Sequence, residues 1–309
     1  MNARYIGIDI GGTGIKAGLC DTSGALLAVH EVATPPQRGV VDVLDAIAHA
    51  AKTAAGEAWD DVAGIGLGMA GFLDIPKGIV RFSANFPQWI DVPIGAQIAH
   101  RTNKPVLVNN DANVATLGEA WSGAGKGYDH VVLFTLGTGV GGGIIAHGRL
   151  VEGAHGMAGE LGHIVVRHEH GALCGCGQYG CVETIASATG IVRLVREAIA
   201  QGAHTTLREV TAKAVFAATD DALCARVIAE VTDALAQAMA AIAVVVNPQR
   251  LIVGGGVSLA GDALLEPLRE AFARKTPAAV REGVDIVPAM LGTTAGVIGA
   301  AGLHVHCRA

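Results

Sequence analysis

Apolar positions along this chain alternate in short β-like runs or recur at helical spacing, and glycine clusters mark where the runs stop. Tyr5 to Ile10 reads as a strand, Gly11-Gly12-Thr13-Gly14 turns the chain, and Ile15 to Leu19 resumes the strand pattern. This predicts a hairpin with a glycine-rich tip. The arrangement recurs when Val131 to Thr135 runs into Leu136-Gly137-Thr138-Gly139-Val140-Gly141-Gly142-Gly143 and then the apolar Ile144, Ile145 and Ala146. Two such hairpins about one domain apart predict two related domains. Gly64 to Met69, Val106 to Val108 and Leu251 to Val253 read as further strands, the last followed by Gly254-Gly255-Gly256.

Helical spacing covers Val40 to Ala55, with Val43, Ala46, Ile47 and Ala50 on one face, then Ile185 to Ala200, Ala222 to Val246 and Asp262 to Arg274. Ser83 to Trp89 predicts a loop that sets the Asn85 amide beside aromatics, suited to lining a sugar site. Thr293-Thr294-Ala295-Gly296 precedes a helix to about Gly302, small-faced enough to pack tightly on another element. Strands alternating with helices make this an α/β protein.

Composition narrows the class. The 309 residues suffice for two domains, and 51% apolar residues with 4% aromatics and 43 glycines suit an Ala/Val/Ile/Gly-rich α/β chain. A net charge of −6 with no basic tract argues against nucleic acid or acidic membranes as partners. The apolar stretch near 234–246 is too short and Ala-rich for a bilayer span of about 20 residues, and Met1 to Ile10 lacks export-signal features. Cys20, Cys224 and Cys307 are scattered, as free thiols of a reducing cytoplasm would be.

The other three cysteines, Cys174, Cys176 and Cys181, fall within eight residues among glycines that let the sulfurs converge. Three thiolates and one imidazole make a closed tetrahedral set for structural zinc. His163, His168 and His170 are all candidates for the fourth ligand; His163, three residues after Glu160, has the better context. The hairpin tips carry exposed amides and the Thr13 and Thr138 hydroxyls, a chemistry that cradles phosphate, and Asp9 ends the first strand where a carboxylate holds Mg²⁺. Gly137, Gly139 and Gly142 also satisfy G-x-G-x-x-G, but an apolar run follows them where a dinucleotide fold needs a helix. Neither tip ends in the Gly-Lys-Ser/Thr of a Walker A loop.

Asn109-Asn110-Asp111-Ala112-Asn113 closes the strand at Val108, just before a helix expected from about Ala112. Asp111 there can cap the helix, but beside two phosphate hairpins it is better read as a general base that takes the proton of an attacking alcohol.

Taken together, Asp9 to Thr13, Asn110 to Asn113, Leu136 to Gly139, Glu160 to His163, Cys174 to Glu183 and Gly254 to Gly256 resemble the ROK family of sugar kinases and repressors, most closely its ATP-dependent bacterial glucokinases. The resemblance spans essentially the whole chain. It implies an actin-like (ribonuclease H-like) duplicated α/β fold with a cleft between a small domain, 1–115, and a large one, 116–293, that carries the zinc. A C-terminal helix at about 294–309 would pack back on the small domain. The implied activity is phosphorylation of glucose by Mg-ATP, with another hexose (N-acetylmannosamine, fructose or mannose) or a sugar-sensing role as alternatives. Repressor relatives carry a helix-turn-helix before the first hairpin, where only eight residues precede Asp9 here.

The resemblance also implies residue roles. Asp111 would be the base; Asn85, Asn110, Asp111, Glu160, His163 and Glu183 would bind sugar; and His163 with Cys174, Cys176 and Cys181 would hold zinc. Asp9, Gly11, Gly12, Thr13, Lys16, Thr138, Gly139, Gly255 and Gly256 would meet the nucleotide. Family members often place Lys directly after Gly-Gly-Thr; here Gly14 stands there and Lys16 follows. A homodimer or homotetramer in the cytoplasm is expected.

Overall fold

The computed structural model describes residues 3–35 and 39–307; positions 308–309 of the expected C-terminal segment lie outside them. The chain forms two compact units, residues 1–129 with 143–159 and 290–309, and residues 130–142 with 160–289.

In the first unit, β1 (Arg4–Ile10) and β2 (Gly14–Cys20) form the expected hairpin, which sets Asp9 opposite Lys16, and β3 (Leu26–Ala33) extends it antiparallel. After α1 (Val40–Ala55), β4 (Val62–Met69) pairs parallel with β1. The segment expected as a loop around Asn85 is the turn of a small antiparallel sheet, β5 (Phe72–Asp74), β6 (Ile79–Ser83) and β7 (Phe86–Val92). It folds this way because Phe86, Trp89 and Val92 each have a core to enter, which pins the strand and leaves only Ala84 and Asn85 to turn. Then α2 (Ile94–Thr102) leads to β8 (Val106–Asn110), parallel to β4, and to α3 (Asp111–Ser122).

A second five-stranded sheet contains β9 (Val131–Leu136), β10 (Val140–Ala146), β11 (Arg149–Leu150), β12 (Arg250–Gly254) and β13 (Asp285–Pro288). Its order, β11-β10-β9-β12-β13, repeats the β3-β2-β1-β4-β8 of the first sheet strand for strand. That shared path, third-second-first-fourth-fifth, is the duplication the paired hairpins predict. The helices here are α4 (Glu183–Ala186), α5 (Ala188–Ala200), α6 (Ala212–Ala217), α7 (Ala222–Val246), α8 (Asp262–Lys275) and α9 (Ala278–Arg281). The helix expected to run unbroken from Ile185 breaks at Ser187, whose hydroxyl turns back to accept the Gly190 N–H and cap α5. At 25 residues α7 is long and apolar enough to cross a membrane, contrary to the length estimate from the sequence; 67% of its most apolar window is nevertheless buried inside the protein.

The last helix, α10 (Ala295–His306), returns to the first unit. Strand alternation sends Ile6, Ile8, Ile10, Ile65 and Leu67 towards α1 and leaves Gly7 and Gly66 on the opposite face. α10 lies directly on those glycines. A Cβ at Gly7 would collide with the Val297 carbonyl, and one at Gly66 with the Ala300 carbonyl. Against α3 the approach is equally close, with Gly299 under the Val114 carbonyl and Gly118 under the Ala295 carbonyl. Because these obstacles are backbone, no rotamer change relieves them. Gly66→Ala is expected to cost about 3 kcal/mol, the upper end for over-packing. Gly256→Ala, whose Cβ would meet nothing within 4 Å, should stay within about 0.5 kcal/mol of the parent. Chemical denaturation of both variants checks this, and equal stabilities would refute the contact.

Candidate functional site

Three parallel strands, β1, β4 and β8, bring Asp9 and Asp111 to the same edge of the first sheet, where α/β folds bind ligands. Asn110, not Asp111, caps α3: its Oδ1 accepts the Ala112 and Asn113 N–H groups at 2.9 and 3.3 Å. The helix therefore begins at Asp111 itself, whose Oδ1 accepts the Ala112 N–H at 2.9 Å. Burial pushes the Asp111 carboxyl above the ordinary carboxylate value, against a smaller pull from the backbone amides. Asp9 is raised from 3.8 to about 6, by burial first and then by the charge of Asp111, while Lys16 across the hairpin opposes the shift.

Lys16 is already engaged. Its ammonium lies 3.5 Å from Glu31 and 3.4 Å from the Thr293 carbonyl. Gly12 faces Asn85, with the Asn85 amide 3.3 Å from where a Gly12 Cβ would stand. The tip is braced by Thr34, which donates to the Gly11 carbonyl from its hydroxyl and to the Thr13 carbonyl from its N–H. Thr34 is buried and escaped the sequence reading.

In the second unit, the ligand atoms of His163, Cys174, Cys176 and Cys181 all lie within 4.8 Å of one another. Cys176 Sγ and Cys181 Sγ are 3.7 Å apart, and Cys174 Sγ is 3.5 Å from His163 Nδ1. A tetrahedral zinc with ordinary bond lengths would set S···S at about 3.8 Å and S···N at about 3.5 Å. The set could hold such an ion. Geometry selects His163 among the three candidates, because His168 and His170 are exposed and outside the cluster. The Gln178 N–H helps to lower the Cys176 thiol below its ordinary value.

Glu183 joins this cluster to the second hairpin. Its Oε1 accepts from the Cys174 thiol at 3.3 Å and its Oε2 from the Val140 N–H at 3.0 Å. A Cβ at Gly139 would overlap that Oε2 and displace the carboxylate. Thr138 is exposed at the tip, and its carbonyl accepts from the Thr189 hydroxyl at 2.7 Å. Glu160 is exposed at the turn before His163. Gly255 needs glycine on backbone grounds alone, whatever meets it. Its φ is +83° and a Cβ would strike the Leu136 backbone, whereas Gly256 faces open space.

Two cavities adjoin Thr138. One of about 380 Å³ is bounded by Thr138, Gly139, Cys174, Glu183 and the start of α5; the other, about 510 Å³, by Thr138, Thr189, Val192, Arg193, Arg196 and Thr211. Thr189, Arg193 and Arg196 were not singled out from the sequence. Their one signal was a shared face of a helix, at i, i+4 and i+7.

The sequence model of the ROK family matches residues 5–306. A glucokinase from Halalkalibacterium halodurans is 42% identical over 307 residues, covering 96% of this chain and 93% of its own. A ROK hexokinase from Thermus thermophilus superposes with a TM-score of 0.86 at 33% identity, covering 99% of this chain and all of that one. A ROK family glucokinase from Streptomyces griseus, solved in complex with glucose and AMPPNP, gives 0.79 at 37% identity, covering 97% and 99%. The fold is the actin-like α/β fold of these sugar kinases.

The raised Asp9 carboxyl makes stability depend on pH. A folded value near 6 against an ordinary 3.8 means that the ligand-free protein is favoured below pH 3.8 and loses that advantage as pH rises through 6. Asp9→Asn cannot ionise. Its stability relative to the parent should therefore rise between pH 4 and pH 8, by up to about 3 kcal/mol for a shift of this size. Thermal melts of ligand-free protein at the two pH values check this, and a pH-independent difference would exclude the carboxyl as its source.

Proposed function

The chain belongs to the ROK family, and we propose that it acts as a glucokinase, moving the γ-phosphoryl group of ATP to the terminal hydroxyl of glucose to give glucose 6-phosphate. The observation that carries this reading is Asp111, a buried carboxyl of raised proton affinity at the ligand-binding edge of a parallel sheet. An alcohol is a poor nucleophile until its proton has an acceptor. Asp111 takes that proton as the sugar oxygen attacks the γ-phosphorus, then returns it to solvent after the phosphorylated sugar leaves.

Asn85, Asn110, Glu160, His163 and Glu183 bind the sugar in this proposal, as the family resemblance implies. Asn110 spends its oxygen on capping α3, so only its Nδ2 is left to donate to a sugar hydroxyl. Glu183 Oε2 accepts the Val140 N–H, and the carboxylate keeps further lone pairs for the ligand. Gly11 to Thr13, Thr138, Gly139, Gly255 and Gly256 meet the nucleotide, with Lys16 and Asp9 beside the first tip. Mg²⁺ bound with ATP near Asp9 would offset the charge on the transferring group. Zn²⁺ held by His163, Cys174, Cys176 and Cys181 would serve structure, because four protein ligands close its coordination sphere. The relatives' close likeness and six unpaired cysteines support a cytoplasmic enzyme, and family habit a homodimer or homotetramer.

Initial rates with Mg-ATP across glucose, mannose, fructose and N-acetylmannosamine test the reading. Fastest turnover of glucose is expected; preference for another hexose would move the substrate assignment, and inactivity on all four would overturn the activity. Asp111→Asn should bind glucose normally with kcat lower by about 10² or more, and near-normal turnover would remove Asp111 as the base. Stripping zinc with a chelator should lower Tm and glucose affinity together. Unchanged affinity in metal-free protein would break the proposed link through His163 and Glu183.

A further inference from the structure

We propose that Glu152 is a positioning residue for catalysis, fixing the Asp111 carboxylate through the buried side chain of Asn109; this rests on the kinase reading above. Asn109 is 1% exposed and lies in β8 one residue before the cap of α3. Its Oδ1 accepts the Asn110 N–H at 2.8 Å and the Asn113 Nδ2–H at 3.0 Å. A backbone N–H can only donate, so the carboxamide orientation is forced, and Nδ2 must face the other way. There it donates to Glu152 Oε1 at 2.5 Å, a short bond to a charged acceptor. Glu152 lies in the same compact unit, just after β11.

The consequence falls on Asp111. Asn110 and Asn113 flank it on the first turn of α3, and both hang from the one Asn109 oxygen. Without an acceptor at Glu152, Nδ2 is left unpaired in a buried site, and the carboxamide gains by rotating away from the bonds that hold the turn. The effect is one of position, because the causes that shift Asp111 are burial and backbone amides. A displacement of about 1 Å at a reacting group can cost about 10² in rate.

The experiment compares kcat and KM for glucose and ATP in the parent, Glu152→Ala, Glu152→Asp, Glu152→Gln, Asp111→Asn and the Asp111→Asn/Glu152→Ala double variant, with Tm measured for each. Glu152→Ala should lower kcat about 10- to 100-fold and move KM for ATP less than about twofold. Glu152→Asp keeps the charge but withdraws the oxygen by one methylene, and should also lower kcat; it carries the test if the alanine variant does not fold. Glu152→Gln retains an oxygen acceptor and should recover most of the loss. If Glu152 acts through Asp111, the double variant is no slower than Asp111→Asn alone. An active parent with unimpaired Glu152→Ala and Glu152→Asp overturns the positioning role alone, as does a further loss in the double variant. A parent inactive on every hexose overturns the kinase reading and this inference with it.

Discussion

The seating of α10 on bare backbone is the constraint on which the first unit depends. Gly7, Gly66, Gly118 and Gly299 leave main-chain atoms facing one another at four points of the contact, so there α10 approaches β1, β4 and α3 at the limit set by the backbone. Position along the helix is then fixed too, because sliding would drive carbonyls into Cβ-bearing neighbours. Its first turn consequently meets the ligand edge. A Cβ at Gly296 would stand 2.9 Å from Asp9 Oδ2. Asp9 ends a strand beneath α10 and Asp111 begins a helix beside it, so one packing decision places both acids.

A second device fixes the approach to α10. Glu119, fully buried in α3, accepts the Ala124 N–H with one oxygen and the Met290 and Leu291 N–H groups at 2.8 to 3.1 Å. A buried carboxylate is costly unless its lone pairs are filled, and backbone amides fill them without introducing a second buried charge. The duplicated hairpins are braced by different means. Thr34 holds the first tip from within its own sheet, whereas Glu183 and the first turn of α5 hold the second. Identical strand order thus carries two unlike tips, each with its amides set before any ligand arrives.

What the sequence made legible was local. Both hairpins, the three clustered cysteines and the polar end of β8 lie in short stretches where residue type and spacing carry the meaning. The fourth member of the cluster was not singled out, because three histidines share one segment and only the fold brings His163 to the three cysteines. Ser187 looked like a helix-interior residue until its hydroxyl was seen to cap α5. At Gly255 the resemblance implied only a nucleotide contact, while φ and the Leu136 backbone require its glycine independently. Glu152 and Glu119 were illegible for a simpler reason: their partners lie 43 and up to 172 residues away, and no periodicity encodes such a pairing.

The two acids show why this precision is needed. Burial raises the proton affinity of both Asp9 and Asp111, and the charge of Asp111 raises that of Asp9 further, so the folded protein holds two acids where their ionised forms are disfavoured. Repulsion of that kind would push an unsupported helix end away. It is resisted by the glycine-lined seat of α10, the Asn110 cap and the Asn109 carboxamide, all of which engage backbone. A strained pair held by rigid neighbours can respond to a ligand at once. Cationic charge arriving near Asp9 favours its ionised form, and the base role proposed for Asp111 would then be exercised in surroundings that need not reorganise.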